Sequence, residues 1–211
     1  CLGTSGAITR IFQGNQERIV TGLPSLASKD GSRSSGPQSI VFTSQGAYFL
    51  VGLGLDPIAR TDPQKLGNAG GENLGQLVYM PLNGSPQNWV DIAQYETTNN
   101  PENTKVDSNP YAVIAVADGF VVADAGGNSL LHVDNNKTIT TLATFAPRMV
   151  SAPPQLNLPE GAQIPMESVP DCVVQGTDGA FYVGELTGFP FEKGSARIWR
   201  VVPGEQPEVF A

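Results

Sequence analysis

Four side chains in this sequence have the types and spacing for cation chemistry. Asp124 and Glu185 end two equivalent segments, Val122-Ala123-Asp124 and Val183-Gly184-Glu185, while Asn109 and Asp171 flank two equivalent prolines, Pro110 and Pro170. Carboxylate and amide oxygens gathered at one point suit Ca2+ or Mg2+, which take hard oxygen ligands. Two carboxylates can also divide general acid and base work. Equally, an acid before a Gly-rich turn, here Gly126-Gly127, can accept hydrogen bonds from the turn amides. Nucleophilic catalysis has poorer material. His132 is the single histidine, which excludes a His-rich zinc site and leaves a Ser-His-Asp triad with poor geometry. Cys1 and Cys172 are too few for a disulfide framework or a zinc cluster. Phe189-Pro190-Phe191 puts aromatic rings in a loop, where they suit contact with a ligand or partner.

Composition narrows the partners. The 211 residues carry 12 Lys+Arg against 20 Asp+Glu, a net charge of −8, so a phosphate backbone repels the chain and nucleic acid is not an expected partner. Charged residues are 15%, against roughly 25% in ordinary soluble domains. No apolar run approaches the roughly 18–20 residues of a transmembrane segment. The first residue is Cys1 rather than Met, and the expectation is a processed or incomplete chain.

The elements that must position these groups are short strands between turn residues, and they repeat. Gly36-Pro37, Asn109-Pro110 and Val169-Pro170 each open an apolar strand. A tight turn follows at Gln45-Gly46, Asp118-Gly119 and Asp178-Gly179, then a second strand at Tyr48 to Val51, Phe120 to Ala123 and Phe181 to Gly184. A third strand matches in copies beginning at Gly6, Gly75, Asn128 and Ala196, with Ile8, Leu77, Leu130 and Ile198 in one column and Arg10, Tyr79, His132 and Arg200 in another. Fourth strands fall at Arg18 to Val20, Trp89 to Ile92, Ile139 to Leu142 and Glu208 to Phe210.

A four-stranded antiparallel unit repeated in series predicts an all-β fold, a β-propeller. Residues 1–211 are read as one partial propeller domain. It has blades at 36–94, 109–146 and 169–211 and a partial blade at 1–21, in which Cys1-Leu2-Gly3 is the tail of a second strand. That makes about three and a half blades of a six- or seven-bladed ring. Turns inside the hairpins are short, whereas the connections at 22–36, 54–74, 95–109, 147–168 and 187–194 are long and fall on one face. Long loops on one face mark a recognition surface. Asp171, Tyr111 and Gln38, on innermost strands, point toward the channel mouth of that face. Trp89, Trp199 and Tyr79 fall in strands and are expected to pack between blades, and His132 takes a structural role in its column.

The strings Gly22-Leu23-Pro24-Ser25, Asp107-Ser108-Asn109-Pro110-Tyr111, Val122-Ala123-Asp124-Ala125-Gly126-Gly127-Asn128 and Val183-Gly184-Glu185-Leu186-Thr187-Gly188-Phe189-Pro190-Phe191 together resemble the ScyD/ScyE family of bacterial propellers with NHL-like repeats, associated with cyanobacteria. The resemblance implies a secreted protein, extracellular or periplasmic, with no established activity. More distantly the chain resembles gluconolactonase-like and streptogramin-lyase-like propellers, which use a divalent cation.

The expected function is a secreted binding or scaffold module that takes a small molecule or a protein at its long-loop face. A divalent-cation-dependent lactonase or lyase is the enzyme alternative, with Asp171, Glu185, Asp124 and Asn109 as metal ligands. A structural module of an extracellular assembly, self-associating through open blade edges, is the third reading.

Overall fold

Alternation of apolar residues with period two gives each strand two faces, and both are buried when sheets stand side by side. The computed structural model describes residues 1–67 and 70–211. Its strands are β1 (Leu2–Phe12), β2 (Asn15–Ala27), β3 (Ser34–Ser35), β4 (Pro37–Thr43), β5 (Gly46–Val51), β6 (Gln76–Pro81) and β7 (Gln87–Asp91), followed by helix α1 (Ile92–Asn99). Then come β8 (Pro110–Val116), β9 (Gly119–Asp124), β10 (Ser129–Asp134), β11 (Ile139–Thr144), β12 (Arg148–Ser151), β13 (Gln163–Met166), β14 (Pro170–Gln175), β15 (Phe181–Glu185), β16 (Ile198–Val201) and β17 (Glu208–Val209).

Three antiparallel sheets have the order of propeller blades: β4-β5-β6-β7, β8-β9-β10-β11 and β14-β15-β16-β17. Their first strands, β4, β8 and β14, pack beside one another, as innermost strands around an axis do. The cores lie between blades. In β5, Tyr48 and Leu50 pack with Phe120 and Val122 of β9, while Phe49 and Val51 turn to Leu23, Ile8 and Val20 of the N-terminal sheet. In β9 the alternate residues Val121 and Ala123 face Val173, Phe181 and Val183 of the last blade. The end sheets carry exposed apolar side chains, Ile11 and Phe12 on one and Val174, Ile198 and Phe210 on the other.

In the three full blades the column containing His132 has one structural job. Tyr79 donates through its hydroxyl to the Gln45 carbonyl at 3.0 Å, His132 Nε2 pairs with Asp118 Oδ1 at 3.2 Å, and Arg200 Nη2 donates to Asp178 Oδ2 at 2.9 Å. Each ties its third strand to the first hairpin turn of the same blade, on the short-turn face. Two of those turns, at Gly46 and Gly119, have no room for a side chain. Gly119 sits at φ 149°, and a Cβ there would lie 2.1 Å from the Val133 carbonyl oxygen. Gly179 is at φ 83° in open space. Gly119→Ala is therefore expected to cost well over about 1 kcal/mol, and Gly179→Ala less, in urea unfolding. Equal costs would show that the Val133 contact is not what fixes Gly119.

The N-terminal sheet differs from expectation. Leu2 and Gly3 do not form the tail of a separate second strand; they continue β1, pairing with Leu26 and Ser25 of a β2 that runs to Ala27. The pairing shifts register between Gly3 and Thr9. The long connections also contain structure. The 95–109 segment starts in α1, whose N-cap Asp91 accepts from Gln94 N. The 147–168 segment is largely the β12–β13 hairpin. The 54–74 loop forms short 3-10 turns at Pro57–Arg60 and Gly71–Asn73, and residues 68 and 69 of it lie outside the described residues.

Candidate binding face

Innermost strands begin, and second strands end, on the long-loop face. Asn109 lies just before β8, and its side chain joins two blades. Its Oδ1 accepts from Leu53 N at 3.1 Å, Gln38 Nε2 at 3.2 Å and Ser35 Oγ at 3.4 Å. Gly52 makes room for this junction: a Cβ there would lie 2.1 Å from Gln38 Nε2 and 2.4 Å from Asn109 Oδ1. Gln38 Oε1, on the other side of the amide, is buried without a donor.

Asp124 ends β9 and is fully buried. Ser108 Oγ donates to its Oδ2 at 2.7 Å, and the amides of Asn109, Gly126 and Gly127 donate to Oδ1 at 2.6, 3.1 and 3.1 Å. Burial pushes its pKa up, and these donors oppose the shift. Glu185, at the equivalent end of β15, has its own set: Arg148 Nη2, Ser168 Oγ at 2.9 Å and Trp199 Nε1 at 2.6 Å. The structure thus brings Asp124 and Asn109 together and gives Glu185 separate protein donors in the next blade. Asp171 is half-buried on the axial groove beside Cys172, whose thiol pKa is raised by burial. Among the described residues, no three His, Cys, Asp or Glu side chains converge as a metal cage.

Two openings mark the face near the axis. A cleft of about 610 Å³ is lined by Leu26, Arg33, Ser35, Leu53, Leu55 and Asn109. An axial groove of about 550 Å³ runs between Gln38, Tyr111 and Asp171. Gln38, Ser35 and Asn109 connect the two through the hydrogen bonds above. Phe189 and Phe191 are both exposed, with ring centroids 6.2 Å apart at 88°.

Sequence reasoning missed the serines that hold the two buried acids. Their signal was present: Ser35-Gly36-Pro37, Ser108-Asn109-Pro110 and Ser168-Val169-Pro170 put Ser two residues before the repeated proline in every copy. It also missed a cluster of withdrawn acids around α1. Glu96 of α1 is buried, and its pKa is pushed up to about 8 by burial and then by Asp124, Glu102 and Asp107. Burial, with Asp124 and Glu167 nearby, raises Asp107 to about 6 against the opposing Lys105. Glu102 is raised chiefly by burial.

No protein-family model matches the chain, and no curated protein matches it in sequence. Among solved structures it is similar to a catalytically inactive virginiamycin B lyase from Staphylococcus aureus with quinupristin, at 14% identity and a TM-score of 0.37. The match covers 89% of this chain, which spans 59% of that structure's length. A likeness this loose carries no argument about chemistry; the blade order and interblade cores carry the fold.

Proposed function

We propose that this protein is a secreted β-propeller binding or scaffold module that takes a small molecule, or a segment of a protein, in the long-loop cleft at the axial mouth. One observation carries the reading. The cleft combines an apolar floor, Leu26, Leu53 and Leu55, with a polar rim, Arg33, Ser35 and Asn109, the usual make-up of a ligand site. The resemblance to ScyD/ScyE propellers supports secretion. The lactonase or lyase alternative has no comparable support: His132, the single histidine, is engaged with Asp118 on the opposite face.

The test has two arms. Cell fractionation of the source organism is expected to find the protein outside the cytoplasm. Protein incubated with the organism's spent medium is expected to retain small molecules detectable by native mass spectrometry. Leu55→Trp, which fills the cleft, should lose them, while Asp118→Asn on the opposite face should not. A cytosolic protein would end the secreted reading. No retained molecule, or retention unchanged in Leu55→Trp, would end the cleft reading.

A further inference from the structure

The cleft of about 610 Å³ at the axial mouth has a one-sided chemistry. Its lining includes a single charged side chain, Arg33, in a chain whose net charge is −8. The turn that carries Arg33 is tied down through the backbone. Arg33 N donates to Ser28 Oγ, and Ser28 N donates to the Arg33 carbonyl, both at 2.9 Å. β3 begins at the next residue, where Ser34 pairs with Ala27 of β2. Arg33 is exposed, and its guanidinium has no partner among the described residues. The acid nearest to it in sequence, Asp30, turns into its own loop: its Oδ1 accepts from Ser32 N at 3.0 Å and from Ser32 Oγ at 2.8 Å.

The one amide side chain in the lining, Asn109, is spent as an acceptor. Leu53 N, Gln38 Nε2 and Ser35 Oγ all donate to its Oδ1. Nδ2 is what Asn109 has left for a ligand, a donor with no acceptor among the described residues. The cleft therefore offers a cation and an amide donor beside the apolar side chains of Leu26, Leu53 and Leu55. Such a lining selects a ligand that accepts hydrogen bonds, carries negative charge and has an apolar body. An ionised carboxylate only accepts, and its two oxygens match the fork of a guanidinium. One cation balances one negative charge, and the acidic chain disfavours a second.

Taking the cleft as the ligand site, as proposed above, we infer that it binds a small apolar carboxylic acid as its anion. Arg33 holds the carboxylate, Asn109 Nδ2 donates a further hydrogen bond, and Leu26, Leu53 and Leu55 receive the apolar body.

Saturation-transfer NMR with three probes of one shape tests it: 3-phenylpropanoate, its neutral amide, and phenethyl phosphate. The acid is expected to bind, with the amide and the phosphate at least about tenfold weaker, the size of a charge-assisted hydrogen bond. Salt should weaken the acid, because Arg33 is exposed. Arg33→Ala should weaken the acid at least about tenfold and leave the amide unchanged, and Leu55→Trp should remove binding of all three. The comparison of acid with amide on the wild-type protein needs no variant. Acid and amide binding equally, with both lost in Leu55→Trp, would overturn the carboxylate assignment and leave the cleft standing as a ligand site. No binding of the acid at millimolar concentration, or acid binding that survives Arg33→Ala, would also overturn it; whether the cleft takes any ligand is decided separately, by what the protein retains from spent medium.

Discussion

Glu185→Ala is expected to destabilise the protein by about 3–5 kcal/mol, because it leaves a partly buried guanidinium without its carboxylate. The Glu185 side chain is wholly buried and that of Arg148 is 23% exposed. Ser168 Oγ and Trp199 Nε1 lose their acceptor as well. In a domain of this size the loss corresponds to a fall on the order of 10 °C in Tm. Arg148 belongs to the β12–β13 hairpin and also donates to the Ser195 carbonyl at 2.6 Å. The substitution should therefore loosen the hairpin and the 187–194 loop together, visible as faster hydrogen exchange in both. Glu185→Ala with Arg148→Ala should cost less than the two single changes summed, since no lone buried charge remains. A loss below about 1 kcal/mol would mean that the pair behaves as a surface salt bridge.

The second large effect is on pH dependence. Stability is expected to fall as pH rises from about 4.5 to about 8. Glu96 has its folded pKa raised from 4.5 to about 8, so the folded state holds a proton that the unfolded chain releases. That contribution is fully present below the unfolded pKa and is lost as pH rises through the folded one, at about 1.4 kcal/mol per pH unit for one proton. Asp107, raised to about 6, steepens the lower part of the window. Asp30, Asp134 and Asp178 are shifted downward, so their contributions fade only in acid, below this range. Glu96→Gln carries no charge at any pH. It should match the wild type near pH 5 and exceed it near pH 8 by several kcal/mol. Urea unfolding across the range measures both, and a flat wild-type profile with no gain in Glu96→Gln would exclude the mechanism.

Blade architecture was legible in the sequence because it is written locally. An X-Pro entry and a turn glycine repeat at fixed spacing, a third-strand column recurs in four copies, and hairpin pairing links residues close in sequence. Even the role of His132 followed from its column. The N-terminal sheet was harder: Cys1-Leu2-Gly3 read as the tail of a second strand, but pairing with β2 from Phe12 back to Leu2, across several register shifts, prevails. Helix α1 left a faint trace, Asp91 with Gln94 three residues on, the shape of a capping box. The acidic cluster around α1 left none. Glu96, Glu102 and Asp107 read as ordinary polar loop residues, and only their folding onto a turn some twenty residues further along (Ala125 to Asn128) removes them from water. Asp124 read as a ligand for the same reason: chain order does not reveal that Ser108 and three backbone amides already converge on it.

The aromatic packing between blades equips the molecule with two built-in optical probes. Trp89 lies edge-on to Tyr48 within its blade and to Phe120 of the next, with centroids 5.2 and 5.4 Å away. Trp199 lies 5.5 Å from Phe145 across the following blade boundary. The sequence contains 2 Trp, so each of the two boundaries between full blades has one fluorophore of its own. Trp199→Phe leaves emission that reports separation of the first two full blades, and Trp89→Phe leaves emission that reports separation of the last two. Comparing the two denaturation curves tells whether the ring segment opens in one step or peels blade by blade.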